Sequence, residues 1–147
     1  MSLKEKLLED MKTAMKEKDQ VRKDTVTMVR SAILQVEKDN RLTLDEEGIL
    51  EVIAKELKKR KDSLPEYEKS NREDLIDKLK KEIEILLAYL PEQLSEEQLE
   101  EIVKQTITET GAASIKEMGK VMQTVLAKVK GRADGKMVNL IAKKYLQ

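Results

Sequence analysis

The chain has 147 residues with 29 basic and 29 acidic side chains, 39% hydrophobic residues, and no Cys, His, Trp or Phe. The absence of Cys and His excludes disulfide bonds, catalysis by a thiol or a Ser-His pair, and metal sites that need these ligands. A metal site made of carboxylates alone, or acid-base chemistry by Lys or Tyr, stays compatible with the composition. With 5 Gly, 2 Pro and 2% aromatic residues, the chain draws its apolar content almost wholly from aliphatic residues and Met, which predicts an all-α protein.

Capping residues mark the helix starts along the chain. Five positions place Ser, Thr or Asn three residues before Glu, Asp or Gln, and two Asp residues add weaker starts. In chain order the predicted starts are Ser2, Asp19, Thr43, Asn71, Ser95, Ser114 and Asp134. Apolar residues recur at spacings of three and four after each start, so seven amphipathic helices are predicted.

Two residues are expected to end helices. Pro65 lacks an amide donor and clashes with the preceding turn, so the third helix is placed from about Leu44 to Ser63. Gly131 is expected to end the sixth helix as a left-handed C-cap.

The segment 89–95 is the best domain boundary, because it joins a strongly apolar helix to a new capping residue through Pro91. We therefore predict an N-terminal bundle of about four helices over residues 1–90. A small, basic three-helix domain is predicted over residues 95–147.

The charge is distributed unevenly although the net charge is zero. From Thr110 onward there are eight basic and two acidic residues, a net charge of +6, whereas the rest of the chain carries −6. Such asymmetry suggests that the basic end meets a polyanion, or that it docks on the acidic part of its own chain or of another copy. Both interpretations stay open.

Cations on the predicted sixth helix and the following turn form the candidate nucleic-acid site. They are Lys116, Lys120, Lys128, Lys130, Arg132 and Lys136. Such cations on a rigid element suit a phosphate backbone, and the alternative is an ordinary solvated face. With few aromatic residues for stacking on single strands, a folded RNA is favoured, and no DNA is expected.

No catalytic residue, metal ligand or cofactor motif is identified. Gly131 and Gly135 are separated by three residues where a phosphate-binding P-loop has four, and Met137 stands where that loop needs Ser or Thr. Arg30 and Glu37 lie seven residues apart beside an apolar stripe, which favours a structural ion pair or interhelix clamp over a ligand site.

The charged N-terminus and the absence of long apolar runs argue against a signal peptide or membrane segment. The longest charge-free runs have 7 residues, whereas a membrane span needs about 20 apolar residues. A cytoplasmic protein is therefore expected.

Three segments carry a resemblance to a known family. The first is residues 28–33 with Glu37, after Lys18-Asp19, and the second is residues 88–94. The third comprises residues 118–122, the run Lys-Gly-Arg-Ala-Asp-Gly-Lys at 130–136, and Val138. In this order they resemble the GatB/YqeY family, and the match covers essentially the whole chain.

The resemblance implies a stand-alone relative of the C-terminal helical region of the GatB component of the glutamyl/aspartyl-tRNA amidotransferase, a region that holds tRNA. Lys130, Gly131, Arg132, Asp134 and Gly135 match its tail and would take a tRNA-contact role. The catalytic parts of that enzyme have no counterpart here, so carbon–nitrogen ligase activity with glutamine as donor is not expected of this chain alone. The partner expected first is tRNA or a tRNA-bearing complex. The alternative is a protein-protein adaptor whose basic end docks on an acidic partner in tRNA metabolism.

Overall fold

A computed structural model describes residues 1–146, which form seven α-helices and contain no strand. The all-α prediction is confirmed. The helices are α1 Leu3–Glu17, α2 Gln20–Asn40, α3 Glu46–Lys69, α4 Glu73–Leu87, α5 Glu96–Thr110, α6 Met118–Lys128 and α7 Gly135–Tyr145.

The chain divides into two compact units, the first over Met1–Leu90 and the second from Pro91 onward. The first unit contains α1 to α4, and the second contains α5, α6 and α7. Gln147, the last residue of the domain predicted over 95–147, lies outside the described residues.

Four of the predicted helix starts are made by the predicted capping side chain. Ser2 accepts a hydrogen bond from the Glu5 amide, and Asp19 accepts one from the Arg22 amide. Ser95 and Gln98 form a complete capping box, in which each side chain bonds to the other residue's amide. Asp134 caps α7 by accepting from the Lys136 amide at 3.0 Å.

The other three starts are wrong in position or kind. Asp45 caps α3 in place of Thr43, because its carboxylate lies 2.8 Å from the Gly48 amide. Asn71 instead takes the left-handed conformation (φ 55°), which asparagine tolerates, and α4 follows Arg72. Ser114 precedes only a short 3-10 turn, Ile115–Glu117, and makes no capping bond with its side chain.

Helix α3 continues through Pro65 to Lys69, so the predicted end at Ser63 is wrong. A proline inside a helix removes the hydrogen bond to the carbonyl four residues earlier. Lys61, which carries that carbonyl, is exposed, so water can solvate the group that loses its partner.

Each unit encloses its own aliphatic core. In the first unit α1 packs on α2, α3 packs on α4, and α2 also contacts α3 and α4. Its buried cluster comprises Leu7, Val26, Val29, Ile33, Ile49, Ile53, Leu57 and Leu86. In the second unit the three helices contact one another around Leu99, Val103, Val121, Val125, Val129, Val138, Ile141, Ala142 and Leu146.

Candidate nucleic-acid interface

The predicted site lies on the turn between α6 and α7, residues 129–134. Helix α6 ends at Lys128, and its C-cap Val129 has φ −110°, so the expectation that Gly131 is the C-cap is wrong. Gly131 lies two residues further on and does adopt a left-handed backbone, with φ 71°. A residue with a Cβ would be strained there, so glycine allows the chain to turn toward Asp134 and start α7.

The segment 91–94 holds this turn in place. The Gln93 side-chain amide donates to the Gly131 carbonyl at 2.7 Å, and the Leu94 amide donates to the Arg132 carbonyl at 2.9 Å. The Nε of Arg132 donates back to the Glu92 carbonyl at 3.4 Å. The turn therefore presents its cations from a backbone fixed at both of its central residues.

The candidate residues fall into two groups. Lys130 and Lys136 are exposed, and Arg132, Asp134 and the two glycines are half-buried on or beside the turn. Lys116, in the 3-10 turn before α6, and Lys120, near the start of α6, are also exposed. Lys120 and Lys128 lie eight residues apart, or about 12 Å along the helix axis, so the predicted row of cations spans the length of α6.

The side chain of Lys128 is bonded to other residues of the same unit. Its Nζ lies 2.7 Å from Glu109 Oε2 and 3.0 Å from Thr106 Oγ1, both on α5. The ion pair joins α6 to α5 and reduces the positive charge available at this position.

Helix α5 also supplies a carboxylate to α7. Glu100 Oε1 lies 3.6 Å from Lys144 Nζ and accepts the hydroxyl hydrogen of Tyr145. The Tyr145 hydrogen bond, followed by the charges of Lys144 and Lys104, holds the pKa of Glu100 below its usual value of 4.5.

From Pro91 onward the chain has nine basic and eight acidic residues, so the folded unit as a whole is nearly neutral. Docking of the basic end on acidic residues of its own chain thus accounts for part of the sequence asymmetry.

The predicted pairing of Arg30 with Glu37 is wrong, although Glu37 does act as a clamp. Glu37 Oε2 lies 2.5 Å from Lys4 Nζ on α1 and 2.7 Å from the Leu44 amide. The Lys4 hydrogen bond, with that of Leu44 second, lowers the pKa of Glu37. Arg30 instead donates to Met11 Sδ at 3.3 Å.

A buried charged cluster in the first unit was not predicted. Arg60 and Glu56 are 7% and 6% exposed, and Arg60 Nε lies 3.3 Å from Glu82 Oε2 on α4. The signal in the sequence is the spacing of Glu56 and Arg60, which continue the buried face of Ile49 and Ile53 at steps of three and four.

A second polar contact that was not predicted lies just after the end of α4. Tyr89 donates its hydroxyl hydrogen to Asp10, which also lies 3.5 Å from Arg22 Nη2. Burial, with the Asp10 hydrogen bond second, raises the pKa of Tyr89.

No helix among residues 1–146 is both long and apolar enough to cross a membrane. Within these same residues, no group of three or more acidic side chains is placed to hold a metal ion.

Curated fungal proteins are similar to this chain. A Kluyveromyces lactis protein named Altered inheritance of mitochondria protein 41, mitochondrial, is 44% identical over 84 residues, which are 56% of this chain and 45% of that protein. Proteins of the same name from Lachancea thermotolerans and Pyrenophora tritici-repentis are 40% identical over 85 residues and 28% identical over 132 residues. These matches cover 57% and 87% of this chain, and 46% and 71% of the relatives. The chain thus spans less than half the length of the two yeast relatives.

These names correct the expected location. The chain was expected to be cytoplasmic, whereas the similar proteins are named as mitochondrial, which points away from the cytoplasm. The expectation was wrong because a charged surface without long apolar runs suits any aqueous compartment and does not distinguish one from another.

The resemblance seen in the sequence is confirmed by a family model. The model of Yqey-like proteins matches residues 4–146, which include both units and the whole of the turn between α6 and α7. The chain therefore belongs to the YqeY-like protein family.

Proposed function

We propose that this chain is a non-catalytic helical module that binds tRNA or a tRNA-bearing complex through contacts with the phosphate backbone. The observation that carries the proposal is the turn of residues 129–134, which hydrogen bonds from Gln93 and Leu94 hold in a fixed conformation. A basic element with a fixed backbone can contact phosphates without losing further backbone conformational entropy on binding.

The chemistry of the turn supports this proposal. Lys130, Arg132 and Lys136 lie within seven residues, and no carboxylate in the described part of the chain pairs with the Arg132 guanidinium. A guanidinium presents a planar set of donors that matches two phosphate oxygens, while Lys acts as a point charge beside it. The bound RNA would be recognised by shape and backbone, since base stacking would need aromatic residues.

The test is fluorescence anisotropy with folded bulk tRNA, measured for the full chain over a salt series. The variant K130E/R132E/K136E is compared with K78E/K80E/K81E, which makes the same change of net charge at exposed positions of α4. We expect the first variant to lose affinity and to lower the salt slope by roughly two to three, since each phosphate contact contributes about 0.7 to 0.9. The control should keep the wild-type slope.

Equal losses in the two variants would mean that net charge alone governs binding, and would refute a site at the turn. Absence of saturable binding by the wild-type chain at low salt would refute RNA binding itself. Circular dichroism of both variants checks that the helices are retained.

Exposed aliphatic side chains favour a second candidate, a protein-protein adaptor. Leu126, Met137 and Leu140 on α6 and α7 are 38%, 39% and 64% exposed. Leu126 approaches the start of α7, since its Cδ2 lies 3.7 Å from where a Cβ on Gly135 would stand. Phosphates do not cover aliphatic groups, whereas a protein partner would.

Affinity purification with and without RNase separates the two candidates. An adaptor would keep its partner after digestion and lose it in an L140K variant. An RNA-bridged complex would dissociate on digestion and tolerate the L140K change.

A further inference from the structure

A cavity of about 240 Å³ lies between α1 and α2 in the first unit. Its apolar walls are formed by Leu7, Leu8, Ile33 and Leu34, and Arg30 lies among them. Leu7 and Ile33 are buried, and Leu34 is 61% exposed, which leaves the cavity open on the α2 side. Pockets for drug-sized ligands measure about 300 to 1,000 Å³, so this one suits a smaller molecule.

Arg30 is the chemically unusual member of the lining. The residue is half-buried, and its Nη1 donates to Met11 Sδ at 3.3 Å. A thioether sulfur is a weak acceptor and carries no charge. Within residues 1–146 no carboxylate pairs with Arg30, although partly desolvated arginines are normally paired with an anion.

The two carboxylates of the cavity do not neutralise Arg30. Glu37 is 13% exposed and is held by Lys4 Nζ at 2.5 Å and the Leu44 amide at 2.7 Å. Glu5 is exposed and lies where α1 begins, with its amide bonded to the cap Ser2. The cavity therefore combines one cation that lacks an anionic partner with aliphatic walls.

We propose that this cavity binds a small carboxylate that carries a short aliphatic chain. Arg30 pairs with the carboxylate, and the leucine and isoleucine side chains cover the chain. The bidentate geometry of a guanidinium favours a carboxylate over a neutral polar group. This proposal rests on the first unit alone and does not depend on tRNA binding by the second.

The test is a titration of the full chain with hexanoate, followed by methyl NMR of its Leu and Ile residues, with hexanol as the uncharged probe. Saturable shifts at Leu7, Leu8 and Ile33 are expected with hexanoate, with at least about tenfold weaker binding of hexanol. The variant R30Q should lose affinity by a similar factor. R72Q, which removes an exposed arginine that precedes α4, should bind as the wild type does.

Two further variants keep the proposal falsifiable if R30Q alters the fold. R30K retains the charge but loses the planar fork, so binding of intermediate strength is expected. M11L removes the sulfur partner and keeps the apolar volume, so hexanoate affinity should be unchanged or higher. Equal affinity for hexanoate and hexanol, wild-type affinity in R30Q, or no saturable shifts with hexanoate would each overturn the proposal.

Discussion

The two units of this chain differ in what they bury. The first encloses Arg60 and Glu56 together with its aliphatic residues, whereas the buried polar residue in the described part of the second is Thr106. Thr106 donates to the Ile102 carbonyl of its own helix and accepts from Lys128 of α6, so its buried group is an uncharged hydroxyl. The first unit therefore uses charge in its interior, and the second relies on aliphatic packing with ion pairs near its surface.

The buried ion pairs of Arg60 and the exposed pair of Lys128 with Glu109 are expected to differ in how much they stabilise their units. Arg60 Nε lies 3.3 Å from Glu82, its Nη1 donates to the Glu56 carbonyl at 3.0 Å, and its Nη2 lies 2.9 Å from Met28 Sδ. Lys128 and Glu109 have side chains that are 36% and 48% exposed. A buried cluster directs α2, α3 and α4 into one arrangement, while a solvated pair competes with water and salt.

The largest expected effect comes from R60A, which removes the buried cation: Glu82 loses its ion pair, and Glu56 keeps only the exposed Lys59. Breaking a buried pair costs about 3 to 5 kcal/mol, and we expect this loss in the first unit alone. Amide hydrogen exchange measures the two units separately, which is needed because a two-unit chain need not unfold in one step.

The matched control for R60A is K59A. Lys59 also lies 3.4 Å from Glu56, but its side chain is 68% exposed, so a loss of less than about 1 kcal/mol is expected. Similar losses in R60A and K59A would show that burial of Arg60 does not stabilise the first unit specifically.

An intermediate loss of stability is expected at low pH, and a different carboxylate causes it in each unit. The pKa values of Glu37 and Glu100 are lower in the folded chain than the ordinary 4.5. Each carboxylate therefore stabilises its unit fully above pH 4.5, and this stabilisation is lost as the pH falls through the lowered folded value. We expect E37Q to reduce the acid sensitivity of the first unit, and E100Q that of the second.

Hydrogen exchange from neutral pH to below pH 4.5 checks this division. The wild-type chain should lose protection in both units, and each variant should lose less in its own unit. A variant that changes the acid sensitivity of both units equally would contradict the assignment of Glu37 to the first unit and Glu100 to the second.

The smallest effect on stability is expected from E109Q, which breaks the exposed pair with Lys128. The free energy of unfolding should change by less than about 1 kcal/mol. The released Lys128 adds a cation near the turn, so tRNA affinity and its salt slope should rise. Unchanged affinity in the anisotropy assay would place Lys128 outside the RNA contact surface.

Local signals in the amino-acid sequence were enough to predict the helical class and four of the seven helix starts. Capping depends on groups two or three residues apart, as at Ser2 and Ser95, and periodicity shows which face is buried. Asp134 and the left-handed Gly131 were predictable in the candidate site for the same local reason. The same pattern selected Thr43 for the third start, which was wrong, because Asp45 two residues later caps α3.

The pairing of charges, by contrast, depends on how the helices pack. The chain has 29 acidic and 29 basic residues, so each charged side chain has many possible partners of opposite sign. Coulomb attraction depends on distance alone and does not select one of these partners from the sequence. The approach of α5 to α6 joins Lys128 to Glu109, and that of α1 to α2 joins Glu37 to Lys4 and leaves Arg30 beside Met11. The contacts of Gln93 and Leu94 with the turn likewise join residues about 38 positions apart, a separation that no local pattern reveals.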